Sequence, residues 1–171
     1  VFNPDALKDA TLYKGSSPVQ YGGRLSSVLD VRMKEGNKQR FAATGGLGTV
    51  SSRLSLEGPI NEGKGSFIIS GRRTYLDLLL NLSTDPEVNR NDIFFYDING
   101  KVNYTINNKN RIFLSSYMGR DVFRIRDELS LKWGNFISSL RWNHVFNSRV
   151  FLNTTLLFSD FSYGFSLTDN V

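Results

Sequence analysis

A chain of 171 residues, 40% hydrophobic and 22% charged, can bury a core, forms about one domain and is too apolar for wholesale disorder. It has no cysteine, which excludes a disulfide scaffold and a thiolate metal site. The net charge of +5 would allow contact with an anionic surface, but Lys and Arg are scattered among acids, so no nucleic-acid partner is expected.

The chain opens on Val1 with no initiator Met or signal peptide and is expected to be a piece of a longer protein. Residues 1–37 differ in character from the rest. Asn3-Pro4-Asp5-Ala6-Leu7 sets an N-cap residue before Pro, the start of a short helical turn. Residues 10–14 (ATLYK) predict a short strand closed by Gly15, and Ser17-Pro18-Val19-Gln20-Tyr21 a second cap and turn before Gly22-Gly23. Residues 27–34 predict a strand in which Val28, Asp30 and Arg32 oppose Leu29, Val31 and Met33, and residues 34–38 a linker.

From Phe41 a strand pattern takes over. Phe41, Ala43, Gly45 and Leu47 share one parity, whereas Ser52, Leu54, Leu56, Gly58 and Ile60 share the other. A turn at residues 48–51 accounts for the flip, with a β-bulge as the alternative. A second turn falls at residues 61–65. Next comes a strand over residues 66–75, with Phe67, Ile69, Gly71 and Tyr75 on one side. Residues 76–92, Leu-rich and then Ser83-Thr84-Asp85-Pro86, form the longest irregular connection.

The stretch from Ile93 carries the clearest alternation. Phe94, Tyr96, Ile98, Gly100, Val102, Tyr104 and Ile106 hold one parity, and Phe95, Asp97, Asn99, Lys101, Asn103 and Thr105 the other. A strand turns this into two chemically different faces, whereas a helix would mix Asp97 and Lys101 into the apolar stripe. Its length, residues 93–105, exceeds the ordinary strand of about 5–6 residues and reaches the roughly 9–11 needed to cross a bilayer at a tilt. NNKN at residues 107–110 turns the chain into a strand from Arg111, and a charged connection follows around residues 124–128. Residues 132–146 set Phe136, Leu140, Trp142 and Phe146 against Asn135, Ser139, Arg141 and Asn143, before a turn at 147–149 and a last strand over 150–165. Short turns alternating with longer connections, and greasy faces backed by polar ones, are the pattern of a transmembrane up-and-down barrel, apolar side to lipid. About seven strands are too few to close comfortably, so the wall is expected to be part of a larger barrel.

No catalytic constellation emerges, and no enzyme activity or cofactor is expected. Gly58-Pro59-Ile60-Asn61-Glu62-Gly63-Lys64-Gly65 approaches a phosphate-binding loop, but Gly65 stands where a hydroxyl is needed and β-forming residues follow, so a hairpin turn is expected. His144 is the lone histidine, flanked by Trp142 and Phe146, and is expected at an interface. Asp85 and Glu87 could bind a cation or belong to a solvated loop. Arg72 and Arg73 could turn one guanidinium inward toward an anionic group, or form a solvated pair at a strand end.

The stretch LKDATLYKGSSPVQYGGRLSSVLDVRMKEG resembles the end of the plug domain of TonB-dependent outer-membrane receptors. Tyr13-Lys14-Gly15, Tyr21-Gly22-Gly23-Arg24 and Val28-Leu29-Asp30-Val31 stand where that family's plug closes and leads into its barrel. GGLGTVSSRLSLEGPI and SGRRTYLD are similar to first barrel strands of the branch that carries an N-terminal carboxypeptidase-regulatory-like domain.

The resemblance implies an all-β fold: residues 1–37 as the C-terminal part of a small α+β plug, and residues 38–171 as the N-terminal strands of an antiparallel transmembrane β-barrel. It implies a location in the bacterial (Gram-negative) outer membrane, with lipid around the wall. It further implies import of a scarce bulky ligand (siderophore, corrinoid, glycan or peptide) powered by the TonB complex, which upstream sequence would contact, and a surface lipoprotein among the partners. A non-transporting structural or assembly component built on the same barrel is the alternative. In the family's orientation the turns at 61–65, 107–110 and 147–149 are periplasmic, and those at 48–51, 76–92 and 121–128 face outward. Ligand-facing or lumen positions would then include Arg72, Arg73, Asp85, Glu87, Asn89 and Arg90.

Overall fold

The computed structural model describes residues 3–15, 18–22, 26–125 and 129–167. Two antiparallel sheets make up the fold. A small one pairs β1 (Leu7–Tyr13) with β2 (Val28–Met33), and a 3-10 turn at Val19–Tyr21 lies between them. The large one is a seven-stranded meander: β3 (Ala42–Leu47), β4 (Ser51–Ile60), β5 (Gly65–Thr74), β6 (Asp92–Asn107), β7 (Asn110–Ile125), β8 (Leu129–Val145) and β9 (Phe151–Leu167). Each strand pairs with its sequence neighbour, and the sheet is open, with β3 and β9 at its edges.

The parity flip after Leu47 is a turn, not a bulge, because β3 and β4 pair antiparallel from Leu47↔Ser52 onward. The GPINEGKG stretch is a hairpin connection: Ile60 pairs with Gly65, and Asn61, Glu62 and Gly63 all take positive φ. Asn107 pairs with Asn110 and its Oδ1 accepts from the Lys109 backbone N–H at 2.9 Å and from Asn110 Nδ2 at 3.0 Å, so the side chain closes the turn locally. Asn147 repeats the device, accepting from the N–H of Arg149 and Val150.

Three sequence expectations need correction. Residues 76–92 are not wholly irregular: they hold α1 (Leu76–Asn81) and α2 (Pro86–Asn89). A Leu-rich run after Asp77 and a Pro at the first helical position of α2 supply the helical bias. The strands are also longer than the alternation suggested, with β7 running past Asp121 to Ile125; residues 126–128 lie outside the described part. Charged residues at their outer ends blur the apolar period while the backbone ladder continues. Finally, the first strand begins at Leu7 rather than Ala10, directly after a turn in which Ala6 N–H bonds to Asn3 O and Leu7 N–H to Pro4 O.

The burial pattern is inverted relative to a soluble sheet. Among the described residues only Ala6, Ile68 and Val122 are fully buried apolar side chains, whereas nine polar ones are buried, including Ser55, Ser66, Ser70, Asp97, Asn99 and Asn103. Cross-strand register puts these last six on one face: Ser55↔Ser70↔Asn99, Ser66↔Asn103, and Arg72↔Asp97 beside them. The opposite face carries Leu54, Leu56, Ile69, Ile98, Leu114, Met118, Phe136, Leu140, Trp142 and Leu156, all exposed. β1, β2 and the segment after them lie on the polar face. Val122 is the exception, an apolar residue of the greasy face buried between Phe94 and Lys132 of the flanking strands.

Candidate functional site at the covered polar face

The polar face is a seat, and the segment after β2 is strapped into it. Glu35 is gripped at two levels. Its backbone carbonyl accepts from Ser66 Oγ (2.7 Å) and Asn103 Nδ2 (3.0 Å), and its carboxylate pairs with Arg111 Nη2 at 2.8 Å. Asn103, 0% exposed, is held in turn by Ser66 Oγ at 2.6 Å and accepts from Arg111 at 3.2 Å. Lys101 Nζ donates to the Met33 carbonyl at 3.2 Å, and Arg53 pairs with Asp5 at 3.0 Å. Most buried polar groups in folded proteins are satisfied in this way, and here the partners come from segments far apart in sequence, although Ser70 Oγ and Arg111 Nε on the same face have no hydrogen-bond partner among the described residues.

Gly36 completes the strap. Its φ is +82°, and a Cβ there would fall on the Phe67 carbonyl of β5. Only a residue without a side chain lets the backbone pass this close in this conformation. Gly36→Ala is therefore expected to destabilise the fold by about 2 kcal/mol or more, combining the left-handed penalty with the clash; a thermal-unfolding midpoint equal to the parent's would contradict it.

The sequence-predicted residues divide. Arg72 and Arg73 project from opposite faces of β5. Arg72 lies on the covered face, its Nε and Nη2 both donating to Asp97 Oδ2 (2.8 and 2.6 Å), with Phe95's ring 4.8 Å from the guanidinium. Arg73 lies on the greasy face at the end of β5 and pairs with Asp77 in the first turn of α1 at 2.9 Å, near Phe94. Asp85 caps α2, accepting the Glu87 N–H at 2.9 Å, which is a structural use of the carboxylate. Glu87 on the same short helix and Arg90 just after it are exposed, and Asn89 Nδ2 reaches the Ser83 carbonyl at 3.5 Å. Nothing brings Asp85, Glu87, Asn89 and Arg90 onto the covered face with Arg72. No cluster of three potential metal ligands occurs among the described residues.

In residues 3–37, Tyr13 and Tyr21 stack as tilted rings 6.0 Å apart, Lys14 is exposed, Gly15 has φ +86°, and Gly22 ends the 3-10 turn. Gly23 and Arg24 lie outside the described residues. Between β1–β2 and the large sheet a cavity of about 370 Å³ remains, lined by Leu7, Val31 and Met33 on one side and Asn99, Tyr117 and Asn135 on the other.

Sequence reasoning missed Glu35, Ser66, Asn103 and Arg111 as a set. The polar parity of β6 was legible, but the partner on Glu35 lies 68 residues from Asn103, and no local pattern reports such a pairing. The His144 ring lies 4.3 Å from that of Phe146 and 5.5 Å from that of Trp142, with Nδ1 2.7 Å from Asn110 Oδ1. Comparison of the chain with protein-family models, with curated proteins and with solved structures finds no match.

Proposed function

We propose that residues 38–171 form part of the wall of an outer-membrane β-barrel and residues 1–37 the end of its plug. On this reading the whole protein is a TonB-dependent importer of a bulky ligand. The observation that carries the membrane part is the inverted burial over β4 to β7, a greasy face in the open and a polar face packed away, whereas β9 at the edge is exposed on both sides. In water a contiguous apolar surface of this size would aggregate or demand a partner. Against hydrocarbon it is the stable arrangement, and a polar lumen holding a polar stopper follows from the same alternation. The strand lengths of 16 and 17 residues for β6 to β9 exceed the roughly 9–11 that a tilted crossing needs, leaving ends to project beyond the bilayer. The import part rests on the plug-end resemblance.

No cysteine occurs in these 171 residues, so none of them competes for a label. Single cysteines placed one at a time at positions 135 to 142 of β8 in the whole protein, spin-labelled in lipid bilayers, are expected to alternate. Labels at Phe136, Leu140 and Trp142 should collide preferentially with oxygen, and labels at Asn135, Ser139 and Arg141 should not. A profile without a two-residue period would remove the membrane assignment. Import is tested by uptake of labelled siderophore, corrinoid, glycan and peptide panels with and without a protonophore; uptake of one class that the protonophore abolishes is expected, and protonophore-insensitive uptake would remove the energised step.

A further inference from the structure

Toward the strand ends away from the turn at 107–110, the covered side of the sheet changes character. Past Asp97 it turns largely aromatic and apolar, and one row crosses four strands there. Phe95 of β6 pairs with Asp121 of β7, Asp121 with Trp133 of β8, and Trp133 with Tyr163 of β9. Directly opposed side chains have Cβ atoms about 4.5–5.5 Å apart, so the Asp121 carboxylate is set between two aromatic side chains. Phe123, two residues on, adds a third on the same side. On the other flank Gly119 carries no side chain, and the Tyr117 hydroxyl occupies the space that a Cβ there would need. Asp121 is half-buried and forms no hydrogen bond or ion pair with a described residue, whereas Asp97, one row below, is matched by Arg72. Its neighbours in the chain give no counter-charge. Arg120 belongs to the greasy face, as does Arg124, which holds Asp92. Phe95 already lies against the Arg72 guanidinium, which leaves Trp133, 38% exposed, as the aromatic open beside Asp121.

We propose that Asp121 and Trp133 bind a cationic side chain of a peptide ligand. The carboxylate supplies charge and charge-assisted hydrogen bonds to a guanidinium or ammonium. An indole holds such a cation better than the other aromatic rings, and the aliphatic stem of Lys or Arg packs on the apolar surface around it. Over β6 to β9 these rows carry no Lys or Arg on this side, so nothing there matches an anionic ligand. Of the classes the import reading admits, a peptide is the one whose ordinary side chains include a fixed cation. In the orientation that the resemblance implies, the Asp121 level faces outward, where an incoming ligand arrives. The inference rests on the import reading and narrows its ligand to one class.

The test measures equilibrium binding of a radiolabelled tetrapeptide, Ala-Arg-Phe-Ala, and of its citrulline counterpart to the whole protein in mild detergent. Citrulline keeps the shape of arginine and removes its charge. The arginine peptide is expected to bind about tenfold tighter or more, and Asp121→Asn should bring the two affinities together. Trp133→Leu should reduce the preference severalfold. Asp160→Asn, on the greasy face, should leave it unchanged. Equal affinities on the parent protein, or no binding of either peptide, overturn the proposal without any variant. A preference that survives Asp121→Asn also overturns it, and so does one that Asp160→Asn abolishes equally, since that would reflect the general field of the protein. Energised uptake of an uncharged ligand, with no charge preference here, removes only this inference. A charge preference that depends on Asp121, without protonophore-sensitive uptake, removes the import reading and leaves the site.

Discussion

Asp97→Ala is expected to cost about 3–5 kcal/mol, the range found when one partner of a buried ion pair is removed. Asp97 is 2% exposed, and Arg72 across the strand pair directs two donors at a single carboxylate oxygen. Asp97 Oδ1 also accepts from Asn99 Nδ2 at 3.1 Å, so the truncation strands a second buried polar group. Asp97→Asn keeps the shape but loses the charge, and should fall between the parent and the alanine variant. Heat-induced unfolding of the whole protein, followed by gel mobility or circular dichroism, reads the order. Indifference to Asp97→Ala would mean that the pair contributes nothing to holding β5 against β6.

The second large effect separates the two faces. Leu140→Arg places a charge in the middle of the greasy surface of β8, between Leu114 and Leu156 of its neighbours, where lipid contact implies about 2–4 kcal/mol. Ser139→Arg, one residue away, points to the polar side beside the cavity under β2 and should cost well under 1 kcal/mol, within the usual range for a polar, solvated position. Folding yield into bilayers and unfolding midpoints of both variants are the measurements. A loss of stability equal for the two would contradict the face assignment. The choice of position matters. Asn103 is on the polar side as well, yet an arginine there would break the hydrogen bonds to Glu35 and Ser66, because the seat is occupied. Tolerance of charge on that face holds only where the strap leaves room.

Strand existence, turn positions and the two faces of β6 and β8 were legible because a two-residue alternation is a local property. Seven strands in sequential antiparallel order match what the turn spacing implied. The helices at Leu76–Asn81 and Pro86–Asn89 were not read, since runs of four and six residues carry less than two full turns of period. The separation of Arg72 from Arg73 was implicit in the alternation, and on the covered face Arg72 is paired with Asp97. The strap was illegible: Glu35, Ser66, Asn103 and Arg111 are ordinary polar residues one at a time, and Gly36 looked like simple linker glycine. Their meaning lies in a register between segments some 30 to 76 residues apart.

Glu35 is fixed to β5, β6 and β7, yet only seven residues later, at Ala42, the chain must begin β3 at the sheet's margin. Four interstrand steps of about 4.8 Å make an arc of about 19 Å, and seven residues reach at most about 24 Å. The tether is therefore long enough to span those strands even laid flat, and it leaves their bend to the sheet itself. What it does fix is an order of assembly: the grip on Glu35 is complete only after Arg111 of β7 has been added.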